Sequence, residues 1–403
     1  MKYLILIGDG MSDLPLKQLN GKTPLEASKT PNMDFLAQNG RCGWVSNIPK
    51  GMPPGSDVAA TSIFGYDPKA CYTGRGPLEA ASLNVKLKKG DIAFRCNLVT
   101  VKDGLMDSFT ADHITTKEAK KLIGTLNKKL GNRGIKFYTG LSYRHLLVVS
   151  PTSNAYTPLL AKLACAPPHD ITGRKIEEFL PEGAGEHLIK FLMKESIMHL
   201  LEHPVNINRI KNKKRPATMI WLWGQGEAPQ MESFKKKYRA SAAVITAVHL
   251  LKGLGKILGM GTPDIKGATG FLDTNYKGKA DTALKMLKKH DVVFVHVEAP
   301  DECGHMGDVK GKIKSISDFD EKIVGYLINK LKKSQKDFRM LVLPDHPTPI
   351  KFMTHTSDPV PFILYDSTKK AESRIKKFNE KELKKSKVLI KNGHTMMNKF
   401  LTI

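Results

Sequence analysis

Three short runs in this chain are apolar almost throughout, and each gives way to an aspartate. "KYLILIG" (2–8) precedes Asp9, "DVVFVHV" (291–297) leads within four residues to Asp301, and "RMLVLP" (339–344) precedes Asp345 and His346. A strand with one wet face alternates apolar and polar residues. Continuous apolar runs instead mark strands covered on both faces, as in a parallel sheet layered with helices. A fourth run, "ATMIWLW" (217–223), reads the same way. In open parallel sheets, ligands bind in the crevice outside the carboxyl ends of the strands, which is where the three aspartates fall.

Helical patterns lie between these runs. "TPLEASKTPNMDFLAQNG" carries Leu25, Asp34, Phe35 and Leu36 and closes on Gly40. "TTKEAKKLIGTLNKKLG" opens with a Thr115-x-x-Glu118 capping box and stops at Gly131. "YRASAAVITAVHLLKGLGKILG" predicts one long, mostly apolar helix, and "SISDFDEKIVGYLINKLKK" an amphipathic one with a basic last turn. From about 86 to 215 the texture changes to shorter strands, "DIAFRCNLVTV" and "KFYTGLSYRHLLVV", with turn residues between. The expectation is a smaller mixed α/β domain at 86–215, inserted into a larger domain formed by 1–85 and 216–403. The basic loop "RIKNKKRP" is its exit.

The totals narrow the class. At 403 residues, 41% hydrophobic and 26% charged, the chain is a folded protein with room for two domains. No apolar run approaches the roughly 20 residues of a membrane span, and "MKYLILIGDGMSD" reads as a first strand, not as a secretion signal. The five cysteines are odd in number, with no C-x-x-C spacing, which suits a reducing cytoplasm. The net charge of +25 comes from lysines scattered along the chain, and aromatics are only 7%. A nucleic-acid protein concentrates basic and aromatic residues in one module, so nucleic acid and membrane are excluded as partners. A small anionic substrate fits the charge.

Three carboxylates at neighbouring strand ends repel one another unless cations sit among them. His305, four residues after Asp301, His346, and His355 in "MTHTSDP" bring the set to three Asp and three His. That suffices for two ions with mixed oxygen and nitrogen ligands. "GMPPGSDVAATSIFGYD" places Ser56 after a Pro-Pro-Gly turn at the start of a helical run. There the helix N-terminus favours an anion, and a neighbouring metal ion would make the hydroxyl a nucleophile at neutral pH. The plainer reading of Ser56 is a helix cap.

With these residues in view, the chain resembles the cofactor-independent phosphoglycerate mutases of the archaeal type, within the alkaline phosphatase superfamily. The motifs are "LIGDGMSD", "LEASKTPNMDFLAQNG", "PPGSDVAATSIFGYDP", "YTGRGPLEAAS", "AFRCNLVTV", "WLWGQG", "VEAPDECGHMGD", "LPDHPTP" and "THTSDP", spread through essentially the whole chain. The resemblance implies an alkaline-phosphatase-like, mostly parallel sheet flanked by helices, with the inserted α/β domain. It implies two divalent ions, manganese first, with magnesium, zinc or cobalt as alternatives, and no 2,3-bisphosphoglycerate. By the match, Ser56 is the residue that becomes phosphorylated. Asp9, Ser56, Asp345 and His346 would hold one ion, and Asp301, His305 and His355 the other. The implied reaction moves the phosphoryl group of 3-phosphoglycerate to Ser56 and back to the 2-hydroxyl of the retained glycerate.

For the substrate, Lys237 in "KKKYR" resembles a family lysine that contacts the phosphoryl group. Arg95 and Asn97 in "FRCN", Arg75 in "TGRGP", and His169 and Asp170 in "PPHDITG" are further candidates. The better-known bacterial branch has an arginine pair after the strand matching "MIWLW". This chain has "GQGEAP" there, a departure that leaves the substrate open. "SYRHLLVV", "PPHDITG" and "EHPVN" resemble suspected homoserine kinases of the same type, although no G-x-x-x-x-G-K-[ST] loop is present. A metal-dependent phosphatase and a non-catalytic basic binding protein are the remaining readings. The sequence leaves the oligomeric state open.

Overall fold

The computed structural model describes all residues except 152–156, 370, 372 and 403. Its strands are β1 (Lys2–Gly8), β2 (Arg41–Val45), β3 (Ile92–Lys102), β4 (Leu105–Ser108), β5 (Ile135–Leu141) and β6 (Arg144–Val149). They continue with β7 (Met219–Gly226), β8 (Ala242–Ile245), β9 (Val292–Val297), β10 (Phe338–Leu343), β11 (Val360–Asp366) and β12 (Leu389–Ile390). The chain forms two compact units, Met1–Tyr72 with Met231–Ile403, and Thr73–Gln230.

The larger unit is built on a seven-stranded sheet of order β12-β2-β11-β10-β1-β9-β8. The run β10-β1-β9-β8 is parallel throughout, while β11 runs antiparallel to both β10 and β2. Alternate residues face opposite sides. Leu4, Leu6, Val293, Val295, Met340 and Val342 enter one helix-covered core. From the other side Phe294 packs against Phe64 and Phe234. The register of the central strands decides where their loops emerge. Ile7 lies opposite Leu343, and Gly8 opposite Val297, so β10, β1 and β9 end level with one another.

The smaller unit carries an antiparallel sheet in which the long β3 pairs with β4, β6 and β7. The helix Thr116–Lys129 begins with the predicted capping box between Thr115 and Glu118.

Several sequence expectations change. The run "ATMIWLW" is a strand, but β7 pairs antiparallel with β3 in the smaller unit and is no part of the parallel sheet. Burial on both faces is shared by both kinds of sheet, so the run could not tell them apart. With β7 and the helix Arg75–Ser82, which packs on β3 and β7, inside it, the smaller unit spans 73–230, wider than the limits of 86 and 215 read from the sequence. The supposed long helix after Tyr238 is instead β8 followed by the helix His249–Ile257. Pairing with β9 overrides the alanine-rich helical pattern, as short apolar runs allow. "TPLEASKTPNMDFLAQNG" is two short helices, Pro24–Ala27 and Pro31–Gln38, because Pro31 disfavours helical geometry at Thr30. "SISDFDEKIVGYLINKLKK" is interrupted by a π-helical turn at Asp320–Gly325, where buried Asp320 accepts hydrogen bonds from Asn32 and Met33.

A buried histidine in the smaller unit sets an acid limit. His145 Nδ1 accepts the Gly140 N–H at 3.0 Å, and burial pushes its pKa down to about 3. The unfolded chain therefore binds the extra proton first, and stability falls as pH drops from about 6.5 towards 3. From this group the loss is about 1.4 kcal/mol per pH unit in that window. His145→Asn keeps an acceptor without the proton site. Its urea midpoint, followed by tryptophan fluorescence between pH 5 and about 6.5, is expected to fall less steeply than the wild type's. Equal slopes would count against this account.

Candidate active site

Because β10, β1 and β9 end level, the loops leaving them converge. Asp9 follows β1 directly, and its N–H bonds the carbonyl of Val297 at the end of β9. Gly10 N–H and His346 N–H both donate to Asp345 Oδ1, at 3.2 and 2.8 Å. Asp301 and His305 share one face of the helix Ala299–His305, four residues apart, with His305 Nε2 3.2 Å from Asp301 Oδ2. His355 Nε2 lies 3.4 Å from Asp301 Oδ1 and 2.9 Å from His305 Nε2. His346 Nε2 lies 3.3 Å from Asp345 Oδ2 and 3.6 Å from Asp9 Oδ1.

Ser56 is the first residue of the helix Ser56–Ile63 and is capped by Gly55, so it is not itself the cap. Its Oγ lies 3.2 Å from His346 Nε2 and 3.5 Å from Asp9 Oδ2. All seven residues expected to hold ions thus come together. Two groups have donor atoms within 4.8 Å of one another: Asp9, Asp345 and His346; and Asp301, His346 and His355. His346 belongs to both, whereas the sequence reading gave it to the first alone.

The electrostatics are those of a site short of positive charge. Burial, then Asp345 and Asp301, hold the Asp9 carboxyl well above the usual range. Burial pushes Asp301 the same way, but hydrogen bonds from His305 and His355 outweigh it and bring the group well below. Burial, against the opposing pull of Asp345, lowers the His346 pKa, which favours the neutral imidazole with its free lone pair. Asp9 Oδ1 and Asp345 Oδ2 are buried without a hydrogen-bond partner among the described residues. Such orphaned carboxylate oxygens are costly unless a cation is to be bound. His305 Nδ1 meets the Met353 carbonyl at 3.0 Å and its Nε2 faces Asp301. Burial works against the charged ring, but the pairing with Asp301 outweighs it and raises the pKa to about 9, so a cation bound here would take the place of the Nε2 proton. Carboxylate oxygens and imidazole nitrogens converging in this way suit a divalent ion.

The other candidates sit elsewhere. Lys237 is not brought to this cluster. Its Nζ donates to the Gly65 carbonyl at 2.7 Å, past the far end of the helix that Ser56 opens, and lies over the Tyr66 ring. In the smaller unit, four of the remaining candidates surround one side chain, Trp223. The guanidinium carbons of Arg75 and Arg95 lie 5.4 and 4.7 Å from its ring centre. Its Nε1–H donates to Asn97 Oδ1 at 3.2 Å, and the His169 ring packs at its edge. Arg95 is buried, 3.5 Å from Glu79, and its Nε has no hydrogen-bond partner among the described residues. Asp170 is exposed and 3.6 Å from His169.

His296, one residue of the apolar run "DVVFVHV", also reaches the cluster. It is fully buried, with Nε2 3.0 Å from Asp9 Oδ2 and Nδ1 3.2 Å from Thr246, and burial pushes its pKa down to about 4. A histidine inside a strand with no exposed position was the available signal. Trp223 was read only as part of a strand, because its neighbours come from distant segments.

Fold and site together define an α/β protein with a serine hydroxyl set among buried carboxylates and imidazoles at the carboxyl edge of a mostly parallel sheet. Comparison with known proteins makes this specific. The family described as 2,3-bisphosphoglycerate-independent phosphoglycerate mutase matches residues 37–206. The Methanosarcina barkeri enzyme of that name is 51% identical over 385 residues, covering 96% of this chain and 95% of its own. A probable enzyme of that name from Geobacter sulfurreducens is 44% identical over the full length of both chains. Among solved structures, a Pyrococcus horikoshii protein superposes with a TM-score of 0.81 at 31% identity, covering 99% of this chain and 96% of its own. The cofactor-independent phosphoglycerate mutase of Thermoplasma acidophilum gives 0.65 at 25% identity, covering 100% and 99%. The chain belongs to the family of 2,3-bisphosphoglycerate-independent phosphoglycerate mutases.

Proposed function

We propose that this protein interconverts 3-phosphoglycerate and 2-phosphoglycerate in the cytoplasm through a phosphoserine at Ser56, with two divalent ions, manganese first. The observation that carries the reading is the Ser56 hydroxyl at the start of a helix, 3.2 Å from His346 Nε2 and 3.5 Å from Asp9 Oδ2. One ion falls to Asp9, Ser56, Asp345 and His346, the other to Asp301, His305 and His355. When bound, the ions neutralise charge on the phosphoryl oxygens and ease ionisation of a nearby hydroxyl.

In the first transfer the bond from Ser56 Oγ to phosphorus forms as the bond to the glycerate 3-oxygen breaks. Ser56 gives up its proton, and the departing oxygen takes one up. In the second, the 2-hydroxyl of the retained glycerate reverses the exchange. The helix N-terminus at Ser56 stabilises the added negative charge. Arg75 and Arg95, around Trp223, offer two guanidinium groups suited to a carboxylate. Asn97, His169 and Asp170 are the adjoining polar contacts.

The test supplies 3-phosphoglycerate with manganese, before and after EDTA, and separately ATP with homoserine. Formation of 2-phosphoglycerate that chelation abolishes and manganese restores is the expected result. Turnover only with ATP and homoserine would make the chain a kinase of that type, and release of inorganic phosphate without isomerisation would make it a phosphatase.

A further inference from the structure

We propose that Thr348 is a positioning residue that fixes the tautomer of His346 and ties the two groups of ligands together; this rests on the two-ion reading above. Thr348 is fully buried. Its hydroxyl donates to Asp301 Oδ1, and the same oxygen lies 3.3 Å from His346 Nδ1. An ionised carboxylate only accepts hydrogen bonds, and a hydroxyl has one proton to give. With that proton committed to Asp301, the threonine oxygen can only accept from His346, so Nδ1 carries the imidazole proton. The lone pair is then on Nε2, the atom that faces Ser56, Asp345 and Asp9. In the same way the Met353 carbonyl orients His305.

The threonine is held from several directions. Its N–H donates to the Ser12 carbonyl at 3.3 Å, and its carbonyl accepts from Lys312 Nζ at 2.8 Å. Lys312 is in turn paired with Asp13 Oδ2 at 2.7 Å, and both side chains are wholly buried. Two glycines make the room. A Cβ at Gly10, whose φ is +61°, would lie 2.6 Å from both Thr348 Oγ1 and Asp301 Oδ1. A Cβ at Gly304 would lie 2.6 Å from the Thr348 carbonyl oxygen. A threonine that merely filled space would not need its hydroxyl, and valine would serve as well.

Thr348→Val and Thr348→Ser separate these roles. Nitrogen-15 NMR of the metal-free protein reads the His346 tautomer, and competition with a chromophoric chelator reads manganese affinity. The wild type and the serine variant are expected to carry the proton on Nδ1. The valine variant is expected to lose that preference and to bind manganese about 10- to 100-fold more weakly, the range typical of lost partners to metal ligands. A wild-type His346 protonated on Nε2, or a valine variant unchanged in tautomer and within twofold in affinity, overturns the proposal. The wild-type tautomer alone decides the matter if the valine variant fails to fold. A wild type that binds no manganese yet keeps the Nδ1 proton would instead remove the two-ion reading on which the proposal rests.

Discussion

Ser56→Ala is expected to lower turnover of 3-phosphoglycerate by on the order of 10⁴-fold or more, the scale seen when a nucleophile that works as part of a unit is removed. The fold should not change, because Gly55 and not Ser56 caps the helix and, among the described residues, the Ser56 Oγ contacts are those to His346 and Asp9. Six of the seven expected ligands remain, so manganese binding should fall only modestly. The matching direct measurement is intact-protein mass spectrometry after mixing with 3-phosphoglycerate. The wild type should show a phosphorylated population that the alanine variant lacks. Turnover like the wild type's in the variant would remove Ser56 from the chemistry altogether.

The second large effect is on stability. Lys312→Met is expected to cost about 3–5 kcal/mol, the usual result of leaving one member of a buried ion pair without its partner. Asp13 Oδ2 would lose its cation and keep the Ile350 N–H, inside a wholly buried site. The double variant Lys312→Met with Asp13→Asn should recover much of the loss, since no buried charge remains. Urea unfolding of the two single variants and the double variant measures the coupling. A Lys312→Met variant within about 1 kcal/mol of the wild type would show that solvent reaches the pair.

What the sequence could reveal depended on distance along the chain. Asp9, Asp301 and Asp345 were legible because each stands next to a strand whose apolar pattern announces itself. The pairing of those strands then had few alternatives. β7 and β8 were misjudged because pairing partners are not written locally: two-faced burial did not say which sheet β7 joins, and the alanine-rich pattern of β8 read as helix until its pairing with β9 overrode it. The Arg75, Arg95, Asn97 and His169 side chains were visible singly as polar residues. Their meeting on Trp223 joins residues from four separate segments and leaves no local trace. Thr348 is the extreme case. Threonine is an ordinary loop residue, and its importance lies wholly in its reach to Asp301 and His346.

The level ends of β10, β1 and β9 also say where this chain can tolerate a change in length. Each added strand residue advances the chain by about 3.3 Å and turns the next side chain to the opposite face. One residue inserted between Leu4 and Gly8 would therefore carry Asp9 beyond its neighbours and point it the wrong way, however well the strand itself still packed. A residue inserted into the exposed turn around Asn20–Gly21, outside the three strands and the loops that carry the three aspartates, has no such leverage. The central strands act as a fixed ruler for the site, and length variation belongs in the surface turns.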